Sequence, residues 1–346
     1  MKKIIFICSV MAMIIFLASY TISERHKKRV NITITKDTPV QKILTELGDE
    51  KPNHVLNKSL SKTSAAVGEA LFTKGIARKE GGSKKLQSRH FVCTSCHNIK
   101  KEDPDLRNAD DPEARLKYVA KNDLPFLQGT TMYGIVDRRH YYDGDYYLKY
   151  GENVKKANQD LREAIQLCAI ECAQGRELAD WELESILAYY WTLGLKMGDL
   201  TLSDEDWKKI KTDVKDKKKH GEVIKFIKTF YLENSPATFL KPPTDRKTGY
   251  NLKGDPKNGK LLYDLSCKHC HEDTRYSYFN LDDNPATFKH LKKNFPKHNR
   301  YSSYFLIRDG TYPYYGKRAY MPRYTKEKMS DQQVEDLKAY FDLMSN

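Results

Sequence analysis

The pentapeptide Cys93-Thr94-Ser95-Cys96-His97 recurs as Cys267-Lys268-His269-Cys270-His271, and two copies of such a motif leave a chain little freedom in what it folds around. In Cys-x-x-Cys-His the two thiols add to the two vinyl groups of one porphyrin, and the adjoining His then lies under the iron as its proximal ligand. The expectation is two covalently attached haem c groups (iron). One is carried by Cys93 and Cys96 with His97 on the metal, the other by Cys267 and Cys270 with His271 on the metal. Half of a zinc site or a redox disulfide is the competing reading of each Cys-x-x-Cys pair. Zinc sites bring their pairs together over tens of residues at most, whereas these two lie in opposite halves of the chain and each ends in His.

With 346 residues there is room for two or three domains, and 39% hydrophobic with 11% aromatic residues suffices for ordinary cores. The formal charge of +14 would be lowered by the propionates of two haems. A basic exported cytochrome is drawn to acidic docking faces on redox protein partners or to anionic lipid headgroups. A lysine-rich, solvated surface accounts for the same charge without any partner. Nucleic acid is disfavoured as a partner, because haem is attached outside the cytoplasm; the expected location is the periplasm or the outer face of the cytoplasmic membrane.

Residues 1 to 29 read as a signal peptide or a membrane anchor: Lys2 and Lys3, an apolar run from Ile4 to Tyr20, then a polar segment to Arg29. As a helix that run reaches about 25 Å, short of a hydrocarbon core of about 30 Å, and no clear small-x-small cleavage site follows. Both readings stay open. Cys8 sits too deep in the run to be a lipidation cysteine. Residues 30 to 60 are polar without clear periodicity and read as a tether. Between residues 199 and 254 seven lysines fall from Lys208 to Lys219, and Val223, Phe226, Ile227 and Phe230 then make an amphipathic helix, so this stretch reads as a helical, lysine-rich linker that packs on one of its neighbours.

The flanking units, 61 to 198 and 255 to 346, repeat one plan. Gly68-Glu69-Ala70-Leu71-Phe72 precedes the first motif and Gly259-Lys260-Leu261-Leu262-Tyr263 the second. An apolar helical face follows each motif: Leu183, Ile186, Leu187, Tyr190 and Trp191, then Val334, Leu337, Phe341 and Met344, the latter behind a capping box of Ser330 and Gln333. The first unit carries an insertion rich in Lys, Gly and Ser at 74 to 90. This order resembles class I cytochromes c, in which the glycine lets the first and last helices cross closely. The resemblance implies a mainly α fold of two cytochrome c-type helical domains. It also implies that Met321, followed by Pro322 in the loop before the last helix, is the sixth ligand of the second iron. A thioether there favours ferrous iron and raises the potential.

The first unit has no Met in that place. With Ala188-Tyr189 aligned on Ala339-Tyr340, the position of Met321 falls on residue 170, between Cys168 and Cys172. The stretch from Ala164 to Leu193 resembles the thiosulfate dehydrogenase family of dihaem cytochromes, in which a Cys followed seven residues later by Gly and a basic residue supplies a thiolate to the active-site haem. Carried over, these are Cys168, Gly175 and Arg176; Cys172 stands where that family usually has Ser. A Cys168–Cys172 disulfide, ligation by either cysteine with Cys168 foremost, and ligation by Met132 remain open. The expectation is a cytochrome that passes electrons from a lower-potential haem at His97 to a higher-potential His/Met haem at His271. The alternative is oxidation of a small sulfur oxyanion such as thiosulfate at the first haem, with Arg176, Arg138, Arg139 or His140 holding the anion.

Overall fold

The computed structural model describes residues 32–57, 59–60, 63–78, 84–311 and 320–345, and the chain over these is mainly helical. The leader with Cys8 lies outside them, as do parts of the 74 to 90 insertion, and no described helix is long and apolar enough to cross a membrane. Helix α1 (Val40–Leu47) is followed by α2 (Ala65–Lys74) and by an antiparallel ribbon of β1 (Ile76–Arg78) and β2 (Lys84–Leu86). The first motif is a tight turn. After it come α3 (Pro112–Lys121), α4 (Tyr146–Tyr150), α5 (Asn153–Gln159), α6 (Leu161–Leu167) and α7 (Asp180–Thr192). Two helices, α8 (Asp204–Asp213) and α9 (His220–Lys228), lead to α10 (Pro256–Leu262), and the second motif runs into α11 (Lys268–His271). The chain closes with α12 (Pro285–Asn294), α13 (Ser303–Asp309) and α14 (Asp331–Met344). Proline at the first position after an Asp or Asn cap starts α3, α10 and α12, where its missing N–H leaves no helical bond unmade.

The expected close crossing occurs twice. Helix α2 packs on α7 and α10 on α14. A methyl group added to Gly68 would overlap the Ser185 carbonyl and press on Tyr189, and one added to Gly259 would overlap the Asp336 carbonyl and press on Tyr340. Ser185 and Asp336, like Tyr189 and Tyr340, occupy equivalent places under the alignment of the two terminal helices. The capping box on α14 is also present: Ser330 Oγ accepts from Gln333 N and Gln333 Oε1 accepts from Ser330 N, each at 3.1 Å.

The cores divide the chain differently from the expected boundaries. One core joins Leu71 and Phe72 of α2 to Ile186, Leu187 and Tyr190 of α7 and to Leu161 and Ile165 of α6. A second joins Leu262, Tyr263, Phe288, Val334, Leu337 and Phe341, but also Leu116, Val119, Leu124 and Phe126 from the expected first unit. The arm 112 to 127 therefore belongs by packing to the second half. The third core corrects the tether: Val40, Ile43, Leu44 and Leu47 are buried against Leu195, Met197, Ile210, Val214, Val223 and Ile227. Those four side chains fall at i, i+3, i+4 and i+7, and burying each is worth about 1.5–3 kcal/mol, so the segment is held rather than loose. The linker helix α9 packs on this third core through Val223 and Ile227.

Candidate functional site

Both motif histidines are fixed in the same way. His97 Nδ1 lies 2.7 Å from the Thr130 carbonyl oxygen and His271 Nδ1 lies 2.8 Å from that of Phe279. Nδ1 donating to a carbonyl sets the tautomer that leaves Nε2 with a free lone pair, the arrangement of a metal-binding imidazole. Burial lowers the pKa of each ring, which keeps it neutral. The loop behind His97 is tight: a side chain at Gly129 would run into the imidazole and the Cys96 carbonyl. Met132 hangs from this same loop, its N–H bonded to the Asn98 carbonyl at 2.8 Å. Its side chain lines the same cleft as Cys168 and Cys172.

The first motif opens on a cleft of about 1230 Å³ including its mouth, lined by Cys93, Cys96, His97, Met132, Cys168 and Cys172 among others. The lining chemistry suits a porphyrin: two thiols, one oriented imidazole, aromatic walls from Tyr142, Tyr146, Tyr150 and Tyr190, and the cations Arg138, Lys149 and Arg323 for carboxylates. Burial pushes the Cys93 thiol up to about 12 and Cys96 up as well, so neither is an exposed reactive thiolate.

One wall of the cleft is a widened turn. After α6 the Ala173 N–H reaches back five residues to the Cys168 carbonyl at 2.9 Å, the bonding of a π-turn. Cys168 and Cys172 both face the cleft as free thiols hydrogen-bonded to each other, while Ile170, the residue aligned with Met321, is 44% exposed. The disulfide of the sequence reading is not formed. Hydrogen bonds from Cys168 and, less, from Tyr150 and Tyr142, together with the Lys149 charge, outweigh burial and bring the Cys172 thiol down to about 6. Cys168 is pushed up by its bond to Cys172 and by burial. Of the pair, Cys172 has the better support for negative charge, a distinction invisible in the sequence. Gly175 and Arg176 brace this wall, with Gly175 N bonded to the Ala169 carbonyl and Arg176 N to that of Gln87, both at 3.0 Å.

Of the four candidate anion-holding groups, the cleft takes one. Arg176 clamps Glu182 with both terminal nitrogens at 2.5–2.6 Å, Arg139 pairs with Asp49 and Glu233, and exposed His140 bonds Asn158. Arg138 lines the cleft and reaches the Ser235 hydroxyl at 3.5 Å.

The two motifs touch. Cys270 Sγ lies 3.7 Å from the Ser95 carbonyl oxygen and the His269 ring faces the carbonyls of Thr94 and Ser95. Beside this seam Phe126 N donates to the Leu265 carbonyl at 2.8 Å, and Tyr324 bonds Ser266. A buried ionic cluster completes it: Lys328 Nζ lies 2.9 Å from Glu102 Oε1 and Arg115 Nη2 lies 3.6 Å from Glu102 Oε2, all three side chains being almost fully buried. Nothing in the sequence pattern signals these partners, since Lys328 is far from Glu102 along the chain and surrounded by ordinary surface-type residues. Met321 is held by Thr311, its N–H bonded to Thr311 Oγ1 at 2.6 Å. Comparison with protein-family models, with curated proteins and with solved structures gave no match for this chain.

Proposed function

We propose that the protein is an exported dihaem c-type cytochrome of two helical cytochrome c units, and that it passes electrons from a lower-potential centre at His97 to a higher-potential centre at His271. The observation that carries this reading is the contact between the two Cys-x-x-Cys-His segments, which sets the attachment cysteine Cys270 against the first motif at Ser95. Haem c, when attached, supplies the one-electron chemistry. The chain's own residues do the rest: Cys93, Cys96, Cys267 and Cys270 fix the two groups, and the Thr130 and Phe279 carbonyls orient the histidines. One thiol of the Cys168–Cys172 pair would hold the first iron and Met321 the second. Thiolate favours ferric iron and thioether ferrous, which gives the direction of transfer. A haemochrome assay should find two haems per chain, and a redox titration two one-electron waves, the lower belonging to the first motif. One haem, or two waves in the reverse order, would overturn the proposal.

A second reading has one observation in its favour: the first cleft carries Arg138 and Lys149, whose hydrogen bonds go to the hydroxyls of Ser235 and Tyr320. Cations placed so can hold a small sulfur oxyanion such as thiosulfate. Reduction of the oxidised protein by thiosulfate, lost in Arg138→Gln, is the expected outcome for this activity; a protein reduced by dithionite and not by thiosulfate is a carrier alone.

A further inference from the structure

We propose that Tyr320 couples the two centres, by holding the loop that presents Met321 to the second iron against the wall of the first cleft. The inference rests on the reading of Met321 as a ligand. Tyr320, Pro322 and Arg323 line the first cleft, whereas Met321 is not among the residues that line it. Its backbone is tied instead to Thr311, by the bond to Oγ1 and by Thr311 N donating to the Met321 carbonyl at 2.9 Å. With Met321 read as the ligand, neighbouring residues of one short segment serve two sites.

The attachment of Tyr320 to the first half is specific. Its ring is 8% exposed and packs with Phe91 and Ala173, beside Cys172. Its hydroxyl accepts from Lys149 Nζ at 3.0 Å and lies 3.4 Å from the Tyr150 hydroxyl, which lies 3.4 Å from Cys172 Sγ. Lys149 also sits over the Tyr320 ring, 4.7 Å from its centre. A continuous line of polar contacts therefore runs from a thiol of the first cleft to the residue next to Met321. Pro322 narrows the backbone choices of Met321 to extended conformations, so a shift of Tyr320 passes into the Met321 backbone. Coupling of this kind is reciprocal: what changes at Cys172 alters the hold of Met321, and loss of Met321 from iron alters the first cleft by the same free energy.

The test uses the oxidised full-length protein with both haems attached, and imidazole as the probe that displaces methionine from iron. The readout is loss of the methionine-to-iron charge-transfer band, which reports the second centre alone. Tyr320→Phe and Tyr150→Phe each remove hydrogen bonds of the line and keep the rings. Both should raise the affinity of the second centre for imidazole by about fivefold, the effect of losing roughly one net hydrogen bond. Tyr150 lies in the first half, so an effect there has no local explanation. An imidazole affinity equal to wild type in both variants, with two haems bound and the band present, overturns the coupling and leaves the ligand reading standing. A band that survives Met321→Ala overturns both.

Discussion

The two Cys-x-x-Cys-His motifs are alike on the histidine side and unlike on the other. Each imidazole is held through Nδ1 by a backbone carbonyl, at 2.7 and 2.8 Å. Beyond that, the first motif faces a cleft walled by a π-turn with two thiols and by six tyrosines, whereas the Met321 segment, proposed to serve the second, offers one thioether. In the proposed dihaem protein the half that would bind and orient the cofactor is a repeated device, while the half that would set its potential has diverged. Potential is adjusted by the sixth ligand and its surroundings, so this is where two copies of one unit can differ without disturbing the fold.

The coarsest way to break the comparison is to remove one attachment site. Cys93→Ala with Cys96→Ala should leave one haem per chain, as should Cys267→Ala with Cys270→Ala, and a haem stain or haemochrome count checks both. Two haems in either double variant would end the dihaem reading. Next in size is the change of ligand. Cys168→Met should raise the potential of the first haem and leave the second nearly unchanged, because a neutral thioether no longer favours ferric iron as a thiolate does. Cys172→Ser is the informative partner, since Cys172 has the stronger anionic support. The ferric EPR spectrum names the ligand as the member of the pair whose replacement changes the first haem's signal. If neither changes it, no cysteine binds iron.

A third prediction asks whether the two halves are separable. Lys328→Met leaves Glu102 with Arg115 in a buried cluster, and breaking one arm of such a cluster costs about 3–5 kcal/mol, to be read from denaturant unfolding. The cluster also sets an acid limit. Burial raises the pKa of Glu102, but Lys328, Arg115 and the Asn98 amide outweigh it and hold the carboxyl down at about 2. A depressed folded pKa contributes stability above the unfolded value near 4.5 that is lost as pH falls towards 2. Glu102→Gln should flatten the stability profile over that window; an unchanged slope would show that the carboxylate is not held by its partners.

What the sequence made legible was local. Cys-x-x-Cys-His, the Gly68 and Gly259 helices, the apolar face of α7 and the Ser330 cap all declare themselves within a dozen residues, because each is set by covalent spacing or by one helix's own periodicity. The features that escaped are settled by distant partners. Val40, Ile43, Leu44 and Leu47 have helical spacing, but the surface they cover comes from Leu195, Met197 and α8 and α9. Glu102, Arg115 and Lys328 are residue types usually found in solvent, and only their convergence buries them. The cysteine pair was half legible. The alignment led to Ile170, which faces outward, and the widened turn brings the thiols on either side of it to the cleft.

The finest prediction tests the repeat itself. If the two helix crossings are copies of one device, Gly68→Ala and Gly259→Ala should destabilise the protein by similar amounts. In each case the added methyl meets a backbone carbonyl of the opposite helix, Ser185 in one and Asp336 in the other, and then the Cβ of a tyrosine, Tyr189 or Tyr340. A carbonyl within a helix cannot swing aside as a side chain can, so the helices must separate, and overpacking of this kind costs about 1–3 kcal/mol. The cores behind the two crossings differ: the first is joined by α6, the second by α12 and by the arm from α3. Equal losses would mean that the glycine contact alone fixes the crossing. A loss confined to one variant would mean that the other crossing yields, and that its surrounding core, rather than the glycine, holds that pair of helices in place.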